Sequence, residues 1–210
     1  MLPGNAALII QPGRTTLPSI LKQAGYTTGV VGKWHLGLDK GNLDQNGDIT
    51  PGPLRGGKYS AFDAGTRVPF IVRRPGQAQA KESAALVSQI DYMASLAALT
   101  GQQLADNDAP DSFNLLPVLL GKSQTGRDHL IEHAGVLSII KDEWKYIEPG
   151  KGPKINKNIN IELGNGPQPQ LYNLKTDLGE KHNLASENPQ RIKEMADLLK
   201  KEKQEGRTRK

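Results

Sequence analysis

The chain has 210 residues, 36% of them hydrophobic, with 23 Gly, 14 Pro, no Cys and a formal charge of +5. That length suits one domain or one lobe of a larger domain, and the missing cysteine excludes disulfides, thiolate metal sites and cysteine nucleophiles. No apolar run reaches the roughly 18 residues of a membrane span, and +4 of the charge sits in residues 191–210, which read as the solvated end of a terminal helix and not as a nucleic-acid arm.

Met1-Leu2-Pro3-Gly4 shows neither the basic nor the apolar region of a secretion signal. Thr16 and Pro18 then mark a helix start, with Leu17, Ile20, Leu21 and Ala24 as its apolar stripe and Gly25 as its stop. Tyr26 to Val31 is a short β-prone run ending at Gly32. Helix, glycine turn and strand together make one unit of an α/β sheet. From Gly37 to Gly57 the texture becomes that of a loop, rich in Asp, Asn, Gly and Pro, and a seam is expected near residues 38–54.

Val68 to Val72 predicts a buried strand closed by the Arg73-Arg74-Pro75-Gly76 turn. Ile90 to Thr100 predicts a helix stopped by Gly101, and Phe113 to Leu120 a shorter one stopped by Gly121. Short strands follow at His129–Glu132, Val136–Ile140 and Glu143–Ile147, with Asp142 turning a hairpin between the last two. Residues 149–170 are expected to form an exposed loop, and Leu171-Tyr172 an edge strand. Pro189 to Glu205 is an amphipathic helix with Ile192, Met195, Leu198 and Leu199 facing inward.

The stretch Gly25 to Gly37 carries the chemistry. In an extended chain leaving a strand, Lys33 and His35 project to one face and Trp34 to the other. A cation beside an imidazole suits a tetrahedral oxyanion, and open α/β sheets bind ligands beyond the carboxyl ends of their strands. On these grounds alone an incidental polar pair remains the alternative. Further on, Gly56 and Gly57 permit close backbone approach, and Lys58 is placed to aim its ammonium at an anion. Asp63 and Arg67 read as a structural pair shaping the next turn.

Gly25-Tyr26-x-Thr28 followed by Gly32-Lys33-Trp34-His35-Leu36-Gly37 resembles a signature of the type I sulfatases of the alkaline-phosphatase superfamily. Arg55-Gly56-Gly57-Lys58 with Arg67-Val68-Pro69 resembles a second. Ser88-x-Ile90-Asp91, Asp111-x-x-x-Leu115-Leu116-Pro117, Trp144-Lys145-Tyr146-Ile147 and Leu171-Tyr172-Asn173-Leu174 through Asn183-Leu184-Ala185 continue the likeness in order. The resemblance implies that Lys33, His35 and Lys58 bind the sulfate ester and act in catalysis, Lys58 helping to protonate the leaving alcohol. It also implies an aryl or carbohydrate sulfate as substrate, calcium as cofactor, and a periplasmic or secreted location. Asp91 is expected to cap its helix, and Lys145 to be an exposed strand residue.

The family's Cys/Ser-x-Pro-Ser/Ala-Arg box, whose first residue becomes the formylglycine nucleophile, does not occur here, nor do the acidic segments that ligate the metal. Only Leu38 to Leu54 separates the first two signatures, where the family has a long stretch. An N-terminally truncated, internally deleted sulfatase is therefore expected, inactive as this chain alone because nucleophile and metal supply most of the rate. Asp39, Asp44 and Asp48 read as solvated carboxylates, and His129, His133 and His182 show no metal-ligand spacing. The expected fold is α/β: an incomplete sulfatase-like mixed sheet flanked by helices over residues 1–125, then a small antiparallel sheet and terminal helix over 126–210. The alternatives are a non-catalytic anion- or glycan-binding remnant and a phosphatase or phosphonate hydrolase relative.

Overall fold

The structure is a computed structural model that describes residues 22–25, 27, 52–74, 76, 82–158 and 160–209. Short β-prone runs joined by tight turns dominate its second half. β1 (His129–His133), β2 (Leu137–Lys141) and β3 (Trp144–Ile147) form an antiparallel meander. Asp142, at φ 53, turns the β2–β3 hairpin as expected. After β4 (Ile155–Asn156) and β5 (Ile161–Glu162), β6 (Gln170–Asn173) returns to pair with β3, giving the sheet order β1-β2-β3-β6.

Strand alternation sends side chains to both faces of this sheet, and both faces are covered. Ile139, Tyr146 and Leu171 meet Met195 and Leu199 of the terminal helix α4 (Pro189–Glu205), whose bounds and inward residues match the sequence pattern. On the opposite face Ile147 and Tyr172 meet Ala61 and Phe62. The segment around Ala61 and Phe62 leads into a single-turn helix, α1 (Asp63–Thr66). The basic side chains of α4 are those of a solvated helix: Lys193 pairs with Asp197, Lys201 with Glu205, and Lys203 with Glu148. Among the described residues no helix is long and apolar enough to cross a membrane.

A 3-10 turn at Gln89–Asp91 opens α2 (Tyr92–Leu99), and Gly101, at φ 71, ends it. Asp91 takes part in the cap expected of it, as the partner of Ser88 in a capping box: its carboxylate accepts the N–H groups of Ser88 and Phe113 and pairs with buried Arg127. The helix expected over Phe113 to Leu120 shrinks to α3 (Leu116–Leu119), because Pro117 lacks the N–H that an earlier start would use. Of the first predicted helix, the end is described: Gly25 has φ 87 and donates to the Lys22 carbonyl.

Two expectations are corrected. Val68 to Val72 is neither a strand nor buried; Ile71 is 90% exposed, and among the described residues no strand lies alongside to pair with it. An apolar run becomes a buried strand only against a hydrogen-bonded neighbour and a packed layer. Residues 149–170 are likewise more than an exposed loop, since they contain the β4–β5 hairpin. Its Leu163 carbonyl accepts the Ala61 N–H, and its Glu162 receives Arg55.

Candidate functional site

Lys58 stands at the tip of a glycine turn with two anchors. Behind it, Arg55 donates from Nε and Nη2 to the two carboxylate oxygens of Glu162 at 2.7 and 2.8 Å, a fork-to-fork geometry that fixes direction as well as distance. The same guanidinium lies 4.0 Å above the Phe62 ring and donates to the Glu180 carbonyl. Gly56, at φ 77, takes a backbone conformation that side chains disfavour, and a Cβ on Gly57 would press on Ile161 at 2.9 Å. These contacts leave Lys58 exposed, with its ammonium 4.8 Å from the centre of the Tyr59 ring. Among the described residues no carboxylate pairs with it. Tyr59 itself has φ 78, a conformation that costs a non-glycine residue about 1–3 kcal/mol.

The second anchor lies on the other side of the turn. Asp63 accepts from the Lys145 ammonium at 2.7 Å, with both side chains buried, and its N–H donates to Glu180 Oε2, also at 2.7 Å. Glu132 and Glu180 approach the same ammonium at 3.5 Å each. Lys145 is therefore no exposed strand residue. It is fully buried, because the sheet face it points from is covered by the segment around Phe62. Burial works against its charge, but Glu180, Asp63 and Glu132 outweigh that and raise its pKa. Burial pushes the Glu180 carboxyl up to about 7, with Lys145 pulling it back down, and its Oε1 has no hydrogen-bond partner among the described residues. The expected Asp63–Arg67 pair is present at 3.6 Å, but the Arg67 side chain is 60% exposed, and Lys145 is the closer partner.

Three carboxylates around one point would suit a divalent cation, but here they enclose an ammonium. Among the described residues no group of three or more His, Asp or Glu side chains is placed to hold a metal ion. These residues therefore offer no ligand set for the calcium that the resemblance implies. Lys33 and His35, and likewise Asp39, Asp44 and Asp48, lie outside the described residues. Of the three predicted site residues the structure thus places Lys58. Of the residues that support it, Arg55, Lys145 and Glu180 stand within the family signatures but were given no supporting role, Lys145 being expected on the surface, and Glu162 and Glu132 were not singled out from the sequence. One signal was present, a lysine inside the apolar run Trp144-Lys145-Tyr146-Ile147.

Residues 41–102 match the family model for sulfatases. Over 169 residues the chain is 46% identical to an N-acetylgalactosamine-6-O-sulfatase of Bacteroides thetaiotaomicron, covering 77% of this chain and 33% of that protein. The chain belongs with the sulfatases. Human arylsulfatase A is 30% identical over 147 residues, covering 63% of this chain and 29% of its own length. A solved structure from a study of glycosaminoglycan metabolism in Bacteroides thetaiotaomicron superposes with TM-score 0.70 at 47% identity, over 71% of this chain and 32% of that one. A second, Ps i-CgsB in complex with a neocarrahexaose, superposes with TM-score 0.57 at 25% identity, again over 71% and 32%. The sulfatase-family chain thus has the alkaline-phosphatase-like fold of these neighbours, and spans about a third of the length of the curated relatives it matches.

Proposed function

We propose that this sulfatase-family chain forms the Lys58-bearing part of a site for the sulfate ester of a glycan, and that by itself it binds such a group without hydrolysing it. The observation that carries the reading is Lys58: an exposed cation, unpaired among the described residues, at the tip of a turn braced on one side by the part-buried Arg55–Glu162 pair and on the other by the buried Lys145–Asp63 pair. A cation held this way is preorganised for an anion, since the side chains that position it are already ordered. Likeness to an N-acetylgalactosamine-6-O-sulfatase and to a carrageenan-complexed neighbour favours a carbohydrate sulfate over a small aryl ester.

In a complete site, Lys33 and His35 would join Lys58 around the sulfate, and Lys58 would give a proton to the departing sugar oxygen. A formylglycine nucleophile has no source in this stretch, which holds no cysteine and no serine in the required box. Without a covalent nucleophile, most of the rate advantage of ester hydrolysis is lost.

Thermal melts in millimolar sulfate test the reading. Sulfate should raise the Tm of the chain, Lys58→Ala should reduce that gain, and Lys33→Ala with Lys58→Ala should remove it. No sulfate should be released from 4-nitrophenyl sulfate with calcium present. Equal protection of the double variant would overturn the binding site, and sulfate release by the chain would overturn its inactivity.

A further inference from the structure

The stretch Asp177-x-Gly179-Glu180 of the last signature lies far in sequence from Lys58, and the function proposed above gives it no part. In the fold it meets the base of the Lys58 turn. That base is closed by the Ala64 N–H, which donates to the Arg55 carbonyl at 3.0 Å. The two feet of the turn, Arg55 and Asp63, land on the same residue. Arg55 Nη1 donates to the Glu180 carbonyl at 2.5 Å, and the Asp63 N–H donates to Glu180 Oε2 at 2.7 Å. We propose that Glu180 is a positioning residue for Lys58, gripping both feet of its turn and so setting where the ammonium meets the anion. The inference rests on the function proposed above and adds to it the residue that aims the cation.

Glu180 is itself held by the sheet and not by the turn it grips. It is fully buried, and its φ of 48 is a left-handed backbone that residues with a side chain rarely adopt. Its N–H donates to the Asp177 carbonyl at 3.1 Å, and the Asp177 N–H donates to the carbonyl of Asn173, the last residue of β6, at 2.8 Å. The Asp177 carboxylate also accepts the His182 N–H at 2.8 Å, so the chain is fixed on both sides of Glu180. Next to it, a Cβ on Gly179 would lie 3.1 Å from the Pro53 carbonyl oxygen. The chain entering the Lys58 turn therefore passes directly against this platform.

The two grips use different groups of one residue, and each has its own support. Arg55 uses Nε and Nη2 on Glu162 and Nη1 on the Glu180 carbonyl, so its direction is set by both partners together. Glu180 Oε1 has no hydrogen-bond partner among the described residues but lies 3.5 Å from the Lys145 ammonium. That charge holds the carboxylate in the orientation in which Oε2 faces the Asp63 N–H. With both feet fixed, Lys58 moves as a side chain and not with its backbone. Freeing one foot lets the backbone shift, and a misplacement of about 1 Å costs a positioned group on the order of 100-fold in rate.

Nuclear magnetic resonance titration of the isotope-labelled chain with sodium sulfate, joined to amide exchange at Asp63, tests this. Glu180→Met fills the same space without an acceptor, whereas Glu180→Gln keeps one for the Asp63 N–H. The Met variant should bind sulfate about tenfold more weakly and exchange the Asp63 amide fast, as loss of a hydrogen bond to a charged group does. The Gln variant should restore slow exchange and bring sulfate affinity to within about threefold of the parent. Arg55→Lys, with one nitrogen in place of three, tests the other foot and should weaken sulfate binding severalfold, so the result does not depend on one variant folding. Asp91→Ala, which loosens a different part of the chain, should leave sulfate affinity within about twofold. Equal sulfate affinity in the Met and Gln variants overturns the positioning role while the sulfate site stands. If the parent binds no sulfate, or binds it equally after Lys58→Ala, the function proposed above falls, and the amides decide the grip alone. Fast exchange at Asp63 and shifted Gly56 to Lys58 signals in Glu180→Met but not in Glu180→Gln then support it, and unchanged ones overturn it.

Discussion

Lys145 on β3 and Asp63 on α1 are 82 residues apart in sequence, yet their charged atoms are 2.7 Å apart in the interior. This contact fastens the segment that carries Lys58 to the face of the small sheet. Removing one partner from a buried ion pair leaves an uncompensated charge, which costs about 3–5 kcal/mol. Lys145→Met should therefore lower the urea midpoint sharply, and Asp63→Asn in the same chain should recover part of the loss. An unchanged midpoint for Lys145→Met would contradict the role given to this pair.

The same cluster sets a pH dependence. The Glu180 carboxyl, pushed up by burial to about 7 from the 4.5 of a free glutamate, binds more protons folded than unfolded between those values. Stability should then fall as pH rises from about 4.5 to 7 and level off above, a contribution on the order of 3 kcal/mol by linkage. Melting curves at pH 5, 6, 7 and 8 should show this decline in the parent chain and a flatter profile in Glu180→Gln. Parallel profiles would remove Glu180 as the cause.

Asp91 joins three parts of the chain. It closes the capping box with Ser88 ahead of α2, accepts from Phe113, and pairs with Arg127, which also donates to the Asp111 carbonyl and to Thr208. Asp91→Ala should cost about 3–5 kcal/mol, as loss of a buried ion-pair partner does. It should also speed amide exchange at Thr208, whose N–H is held by Asp111. Slow exchange retained at Thr208 would show that the chain end is held independently.

Glycines on the site segment differ in what surrounds them. A Cβ on Gly65 would run into the carbonyl oxygens of Ser60 and Gly57, whereas one on Gly101 meets nothing within 4 Å. Gly65→Ala should cost about 1–3 kcal/mol by overpacking against backbone. Gly101→Ala, at φ 71, should cost about 1 kcal/mol through strain alone. The order of their urea midpoints checks this, and Gly65→Ala should also weaken sulfate protection by shifting the Lys58 turn.

Much was legible in the sequence because it is decided locally. The amphipathic repeat of Pro189–Glu205, the turn at Asp142, the glycine ends at Gly25 and Gly101, and the cap at Asp91 each depend on residues within a few positions. The ordered signatures around Lys33, His35 and Lys58 also named the family that the comparisons support. Burial was not legible in the same way. Alternation along Trp144-Lys145-Tyr146-Ile147 says which side chains share a face, but not whether that face is covered. The segment around Phe62 covers it, so Lys145 went inside with its carboxylates, while Val68 to Val72 pairs with no strand among the described residues and is exposed. The Arg55–Glu162 fork spans 107 residues and the Lys145–Asp63 pair spans 82, so nothing near either residue in the chain announces them. The sequence determined the turns and the terminal helix and picked out Lys58 beside its two glycines, since these follow from neighbouring residues. The tertiary structure decided what holds that lysine in place, since charge pairing and burial depend on what folds against a residue and not on what precedes it.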